Sequence, residues 1–193
     1  APLGIMARAM RRAGAQKIVA LTHGHEVWWA KVPAFSTAIR FMSKNIDAIT
    51  YLGDYTRSEI SKALSKADSN KLVQIAPGID VDHFIPTDSS KLRAELGLTD
   101  KSVIISVGRL VHRKGQDKLI AALPAIKSAV PNVHLVLVGV GPHQKFLENL
   151  VAKLNVADCV TFIGRINYSE LPKYICVGDI FAMPSRSRFF GLE

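Results

Sequence analysis

The residues best suited to chemistry are Arg109 and Lys114, in the run Ser106-Val107-Gly108-Arg109-Leu110-Val111-His112-Arg113-Lys114-Gly115-Gln116-Asp117. An apolar strand enters a glycine turn that bears three cations, and a helix follows. Gly108 lets the backbone approach a ligand closely. Arg109 offers a planar fork to phosphate oxygens, and Lys114 adds a point charge. The partial positive charge at the start of the next helix acts in the same sense. A loop at the carboxyl end of a strand is where open α/β sheets bind ligands. The chemistry is phosphate binding; the alternative is a solvated basic loop.

Two further turns repeat the theme. Val138-Gly139-Val140-Gly141-Pro142 opens like a dinucleotide fingerprint, but Gln144 stands where the third glycine belongs. That argues for a tight turn facing a nucleotide rather than for NAD. Phe162-Ile163-Gly164-Arg165-Ile166 follows, and after the next helix comes Asp179-Ile180-Phe181-Ala182-Met183-Pro184-Ser185. Gly164 permits close main-chain contact with a base, although ordinary turn chemistry also explains it.

In the first half, Thr22-His23-Gly24-His25-Glu26 directly follows a strand-like run. Two histidines and a carboxylate there suit acid–base or ligand-positioning work. His25-Glu26 is not a zincin motif, because Trp29 occupies the second-histidine position. His23 and His25 lack an evident third metal ligand. Asp80-Val81-Asp82 spells D-x-D, but it follows a turn at a domain exit, which disfavours a metal site. Trp28 and Trp29 suit either packing or the wall of an acceptor cleft.

These loops need a scaffold. Short, continuously apolar runs cover Lys17–Leu21, Ala48–Leu52, Leu72–Ile75, Val103–Val107, His134–Val138, Val160–Phe162 and Ile180–Ala182. Strands buried on both faces of a parallel sheet read this way. Helical spacing fills Pro33–Lys44, Thr56–Lys66, Ser90–Leu96, Gln116–Val130, Pro142–Leu154 and Tyr168–Ile175. Pro142 suits a first helical position, and Asp54 and Ser89 suit N-caps. The alternation predicts βαβ units and a doubly wound α/β fold. Turn chemistry at Ala76–Asp80 and Phe84–Ser90 places an interdomain linker near Pro86–Ser89.

Composition sets the outer limits. The 193 residues suffice for one good-sized domain or parts of two. A hydrophobic fraction of 48% and a charged fraction of 21% describe a packed globular chain. The formal net charge of +9 favours an acidic partner. No acidic residue precedes Glu26, whereas Arg8, Arg11, Arg12 and Lys17 do. That basic stretch is a solvated helix face or a membrane-facing one. No apolar run approaches the roughly 20 residues that span a bilayer, and the N-terminus does not read as a signal peptide. Cys159 and Cys176 lack metal spacing and read as reduced thiols of a cytosolic protein. Both ends read as cut: there is no initiator Met, and the chain stops at Gly191-Leu192-Glu193.

The ordered set Thr22–Glu26, Pro77–Phe84, Gly108–Gly115, Val138–Pro142, Phe162–Ile166 and Asp179–Ser185 resembles glycosyltransferase family 4 over nearly the whole chain. Within that family the likeness is nearest to actinobacterial GDP-mannose-dependent phosphatidylinositol mannosyltransferases. The resemblance implies a GT-B architecture of two Rossmann-like parallel-sheet domains facing across a cleft. Residues 1–86 would be the later part of the N-terminal, acceptor-side domain. Residues 87–193 would be the earlier part of the C-terminal, nucleotide-sugar-binding domain. It further implies that Arg109 and Lys114 bind the donor diphosphate, and that His23 contacts the donor sugar near the reacting carbon. The main chain of Ile166 would face the base, with Gly108, Gly139 and Arg165 completing the donor set. The family's E-x7-E pair lies beyond Glu193, so part of the donor site is expected to be missing.

The expected activity is transfer of a hexosyl group, mannosyl by resemblance, from a nucleotide-diphosphate sugar to a lipid-linked or glycan acceptor, with retention. No protein-bound metal or other cofactor is expected, because side-chain cations meet the leaving diphosphate. Expected partners are a nucleotide sugar and an anionic membrane surface or phosphoinositide acceptor, not nucleic acid. The expected location is the cytoplasm, at the inner face of the plasma membrane. A noncatalytic nucleotide- or phospholipid-binding module is the alternative, and a Rossmann oxidoreductase is a more distant one.

Overall fold

A computed structural model describes residues 2–24 and 26–186. His25 and Glu193, both considered above, lie outside the described residues. Contacts divide the chain between Gly78 and Ile79 into two units.

The first unit holds α1 (Ala7–Arg12), β1 (Val19–Ala20), α2 (Glu26–Lys31), α3 (Pro33–Ser43), β2 (Ala48–Tyr51), α4 (Asp54–Ser61), α5 (Lys66–Ser69) and β3 (Leu72–Gln74). Its strands pair in parallel in the order β1-β2-β3. Ile39 and Met42 of α3 pack with Ile49 of β2 and Ile60 of α4. Pro33 sits at the start of α3, where its missing N–H costs nothing.

The second unit holds α6 (Ser90–Glu95), β4 (Ser102–Val107), α7 (Gln116–Ala129), β5 (Val133–Val138), α8 (Gln144–Lys153), β6 (Val160–Gly164), α9 (Leu171–Ile175) and β7 (Ile180–Phe181). Its four-stranded parallel sheet runs β6-β5-β4-β7. β5 shows why the apolar run is continuous. Leu135 and Leu137 enter a core with Ile120, Leu123 and Leu147, while Val136 and Val138 enter a second core with Leu92, Leu98 and Val177. Side chains alternate across the sheet, so both faces of this strand are buried. Asp179 ties β7 to β4: its carboxylate accepts the Val103 N–H at 2.7 Å and the Arg93 guanidinium at 2.9 Å. Burial opposes its ionisation, but those two donors outweigh it and hold Asp179 below the usual carboxylate range.

Several local expectations need correction. Two-sided burial fails at the outer strands: Val19, Val73, Ile180 and Phe181 are all exposed, because each lies in a strand paired on one side only among the described residues. The helix expected over Thr56–Lys66 is two, interrupted before Ser65, whose Oγ accepts the Asp68 N–H at 3.1 Å and caps α5. Asp54 is the first residue of α4, after N-cap Gly53. Ser89 does precede α6, but its hydroxyl donates to the Cys176 carbonyl at 2.7 Å instead of capping. Pro142 lies in the turn before α8, which starts at Gln144.

Segment 79–86 packs with the second unit, downstream of the division. His83 stacks on Tyr168, and the Thr87 N–H meets Cys176 Sγ at 3.4 Å. Cys159 is buried and Cys176 half-buried, both as free thiols. No helix among the described residues is long and apolar enough to cross a membrane.

Candidate functional site

The second unit gathers its glycine turns at the carboxyl ends of β4, β5 and β6. The Gly108 N–H donates to the Val138 carbonyl at 2.9 Å, and the Gly139 N–H to the Gly164 carbonyl at 2.8 Å. The Leu110 N–H donates to the Val140 carbonyl at 3.1 Å. Gly108 (φ +150°) and Gly139 (φ +132°) occupy backbone regions that L side chains rarely adopt. Gly141 is small for a different reason: a Cβ there would sit 2.3 Å from the Leu110 carbonyl oxygen.

These turns floor a groove of about 350 Å³. Its wall runs from Gly108 and Arg109 past Gly139 and Val140 to Arg165, Ile166, Asn167, Tyr168 and Leu171. Arg109 and Arg165 are exposed there, while Ile166 is half-buried and also packs against the core. Five of the six residues expected to bind the donor thus share one groove.

Lys114, the sixth, stands beside the groove. It closes a single 3-10 turn (His112–Lys114) that ends at Gly115, φ +77°. Its Cε lies 3.8 Å from where a Cβ on Gly108 would be, so its stem folds back over that glycine. Its ammonium approaches Met183 Sδ at 3.8 Å. α7 starts immediately after Gly115, so its unpaired N–H groups add positive potential near the same turn.

Residues not anticipated from sequence hold this turn. The buried Gln116 side chain donates through Nε2 to the Arg109 carbonyl at 3.2 Å. The segment after β7 braces the other side. The Arg186 N–H donates to the Arg113 carbonyl at 2.8 Å, and the Arg186 guanidinium pairs with Asp117. Tyr168, Asn167 and Leu171 also line the groove, and none of them belongs to the expected donor set. The one signal available for Tyr168 was a large aromatic at an apparent helix start.

His23 belongs to the first unit, after β1. Thr22 is buried and donates from Oγ1 to the Thr50 carbonyl at 2.6 Å, which ties the loop to β2. Gly24 turns the chain at φ +91°. Glu26, also buried, accepts the His23 N–H at 3.2 Å and so ties the loop to the start of α2. The His23 ring is exposed. Of the two tryptophans, Trp29 packs on the core and stacks on Phe35 at 5.3 Å, while Trp28 meets both rings edge-on. Asp80 Oδ1 accepts the Asp82 and His83 N–H groups at 3.1 and 3.0 Å, so the D-x-D string forms an Asx-type turn. Among the described residues, no cluster of three or more His, Cys, Asp or Glu is arranged to hold a metal ion.

A parallel sheet whose strands end in abutting glycine turns beneath a cationic groove is the arrangement in which open α/β folds hold anionic ligands. The chain belongs to the family described as glycosyl transferases group 1, whose model matches residues 88–193. It is 42% identical over its whole length to the GDP-mannose-dependent alpha-(1-6)-phosphatidylinositol monomannoside mannosyltransferase of Mycolicibacterium smegmatis, of which it covers 50%. It is 38% identical to the corresponding monoacylated-substrate enzyme of Corynebacterium glutamicum, of which it covers 51%. The chain therefore spans about half the length of the curated relatives it matches. Among solved structures it is similar to Anabaena HepE in complex with UDP (TM-score 0.77, 23% identity, 96% of this chain and 51% of that one). It is also similar to sucrose-phosphate synthase from Thermosynechococcus elongatus (TM-score 0.75, 25% identity, 94% and 48%). The likeness bears out the α/β, GT-B-type fold class expected from the sequence.

Proposed function

We propose that this chain carries the diphosphate-binding part of a retaining mannosyltransferase that uses GDP-mannose and a phosphatidylinositol mannoside acceptor. The observation that carries the reading is the convergence of Gly108, Arg109, Gly139, Arg165 and Ile166 on one groove, with Lys114 arched over Gly108. The relatives that cover the entire chain are named for that donor and that acceptor class.

Breaking the bond from the anomeric carbon to the diphosphate puts negative charge on the leaving oxygens. Arg109 holds those oxygens in a bidentate grip, Lys114 adds a second cation, and the start of α7 adds its partial charge. Side-chain cations thereby take the part a divalent metal plays elsewhere. The main chain at Gly108 and Gly139 lets the diphosphate approach without meeting a Cβ. For His23 the family resemblance supports a role toward the donor sugar.

The acceptor is lipid-linked, so the protein works at the inner face of the plasma membrane. Exposed Leu3, Ile5, Met6 and Met10 beside the exposed cations Arg8 and Arg12 support that placement. Arg11 is engaged with Asp47 and is not part of this surface charge.

The deciding assay measures sugar transfer from GDP-mannose, UDP-glucose and UDP-N-acetylglucosamine, with and without vesicles containing phosphatidylinositol monomannoside. Mannosyl transfer that depends on the acceptor is expected. Binding of GDP without transfer from any donor would leave a noncatalytic nucleotide-binding module.

A further inference from the structure

Three aromatic rings join the segment after Gly78 to the groove. The Asx-type turn at Asp80 is reinforced by the Phe84 N–H, which donates to the Asp80 carbonyl at 3.0 Å. This turn fixes the backbone from which His83 and Phe84 project. The His83 ring stacks on Tyr168 with centroids 4.6 Å and planes 18° apart. Its Nε2 lies 3.1 Å from the Tyr168 carbonyl oxygen, so that nitrogen carries the proton. Phe84 meets Tyr168 edge-on at 5.7 Å and 82°.

Tyr168 itself is 62% exposed and borders the groove beside Ile166 and Leu171. So open a ring buries little apolar surface, and core packing does not explain why two other rings hold it. Its place does have a use. Gly108 and Arg109 stand where β4 ends, and Tyr168 stands on the wall formed after β6. A nucleoside diphosphate gripped by its phosphates at Arg109 would have that second wall beside it in the same groove.

We propose that Tyr168 is the aromatic wall against which the base of the nucleoside diphosphate lies, and that His83 is the positioning residue that fixes it. This rests on the groove being the donor site. His83 touches no ligand; it acts by occupying one face of the Tyr168 ring and by holding its main chain.

The test titrates the 193-residue chain and its variants with GDP, UDP and inorganic pyrophosphate by calorimetry. Tyr168→Ala is expected to weaken GDP by about ten-fold and leave pyrophosphate within about two-fold, because only the base has a face to stack. Tyr168→Trp keeps GDP affinity. His83→Ala weakens GDP by about three-fold, and His83→Phe recovers part of that loss by restoring the stack without the hydrogen bond to the Tyr168 carbonyl. Unchanged GDP binding in Tyr168→Ala, or equal losses for GDP and pyrophosphate, overturns the proposal. Unchanged binding in His83→Ala removes the positioning role. If the unsubstituted chain binds pyrophosphate as tightly as GDP, the base wall is wrong and the phosphate site stands. If it binds neither, the donor-site reading fails, and this proposal with it.

Discussion

A Cβ built on Gly139 would lie 2.1 Å from the carbonyl oxygen of Gly108, so the turns after β5 and β4 touch backbone to backbone. No side-chain rotation relieves such a contact. Gly139→Ala is therefore expected to cost at least about 3 kcal/mol and to abolish nucleotide binding. Gly164 provides the control. It also has positive φ (+81°), but a Cβ there meets nothing within 4 Å. Gly164→Ala should cost only the backbone strain, about 1–2 kcal/mol. Urea unfolding midpoints of the two variants measure the difference.

Arg109→Ala removes the fork proposed to grip the leaving diphosphate. The side chain is exposed, so the melting temperature should hold. Transfer should fall by at least about 30-fold in kcat/KM, equivalent to about 2 kcal/mol of transition-state stabilisation. Turnover close to that of the parent would take Arg109 out of the mechanism.

Asp179 gives the acid limb of stability a specific origin. Its carboxyl is held below its ordinary 3.8, so the unfolded chain binds its proton first as pH falls. The stabilisation is complete above that ordinary value and is lost as pH drops through the folded one. Asp179→Asn should lower stability at pH 7 by about 1–2 kcal/mol and flatten the dependence below about pH 4. Thermal melts between pH 7 and pH 2.5 would show a parallel offset instead if the carboxylate were irrelevant.

His134 should act in a milder range. Burial within β5 presses its pKa below 6.5, mainly by desolvation, with a smaller push from Lys101. Nε2 contacts Thr161 Oγ1 at 2.8 Å, and among the described residues buried Nδ1 has no partner. The neutral ring is the folded form, so its contribution is intact above pH 6.5 and is eroded below it, as the unfolded chain takes up a proton first. His134→Leu should remove that slope and match or exceed the parent near pH 7.5, since an unpaired buried polar atom is also removed. A persistent slope between pH 6.5 and 5.5 in the variant would place the titration elsewhere.

The strands were legible because a parallel sheet writes itself as apolar runs; β5 is the clearest case, feeding one core with leucines and the other with valines. The turns after β4, β5 and β6 were legible because their glycines follow those runs directly. Helix α1 was not, since its residues Ala7–Arg12 carry no acidic first turn and no side-chain cap. Contacts distant in sequence left no local trace. Gln116 reaches back to the Arg109 carbonyl, the Ser89 hydroxyl is drawn to Cys176, and His83 finds Tyr168 across 85 residues. Each is decided by how strands stack, which no window of sequence contains.

Gly139 in the groove floor, and Gly141 and Gly115 in the adjoining turns, where a Cβ would lie 2.3 Å from the Leu110 carbonyl oxygen and 2.0 Å from that of Pro184, have no room for even one added carbon. The positions above them are open: Arg109, Arg165, Asn167 and Tyr168 are all exposed. Substitutions on that rim therefore act on ligand contacts and leave the turns intact, so affinity can be altered there without unfolding the unit.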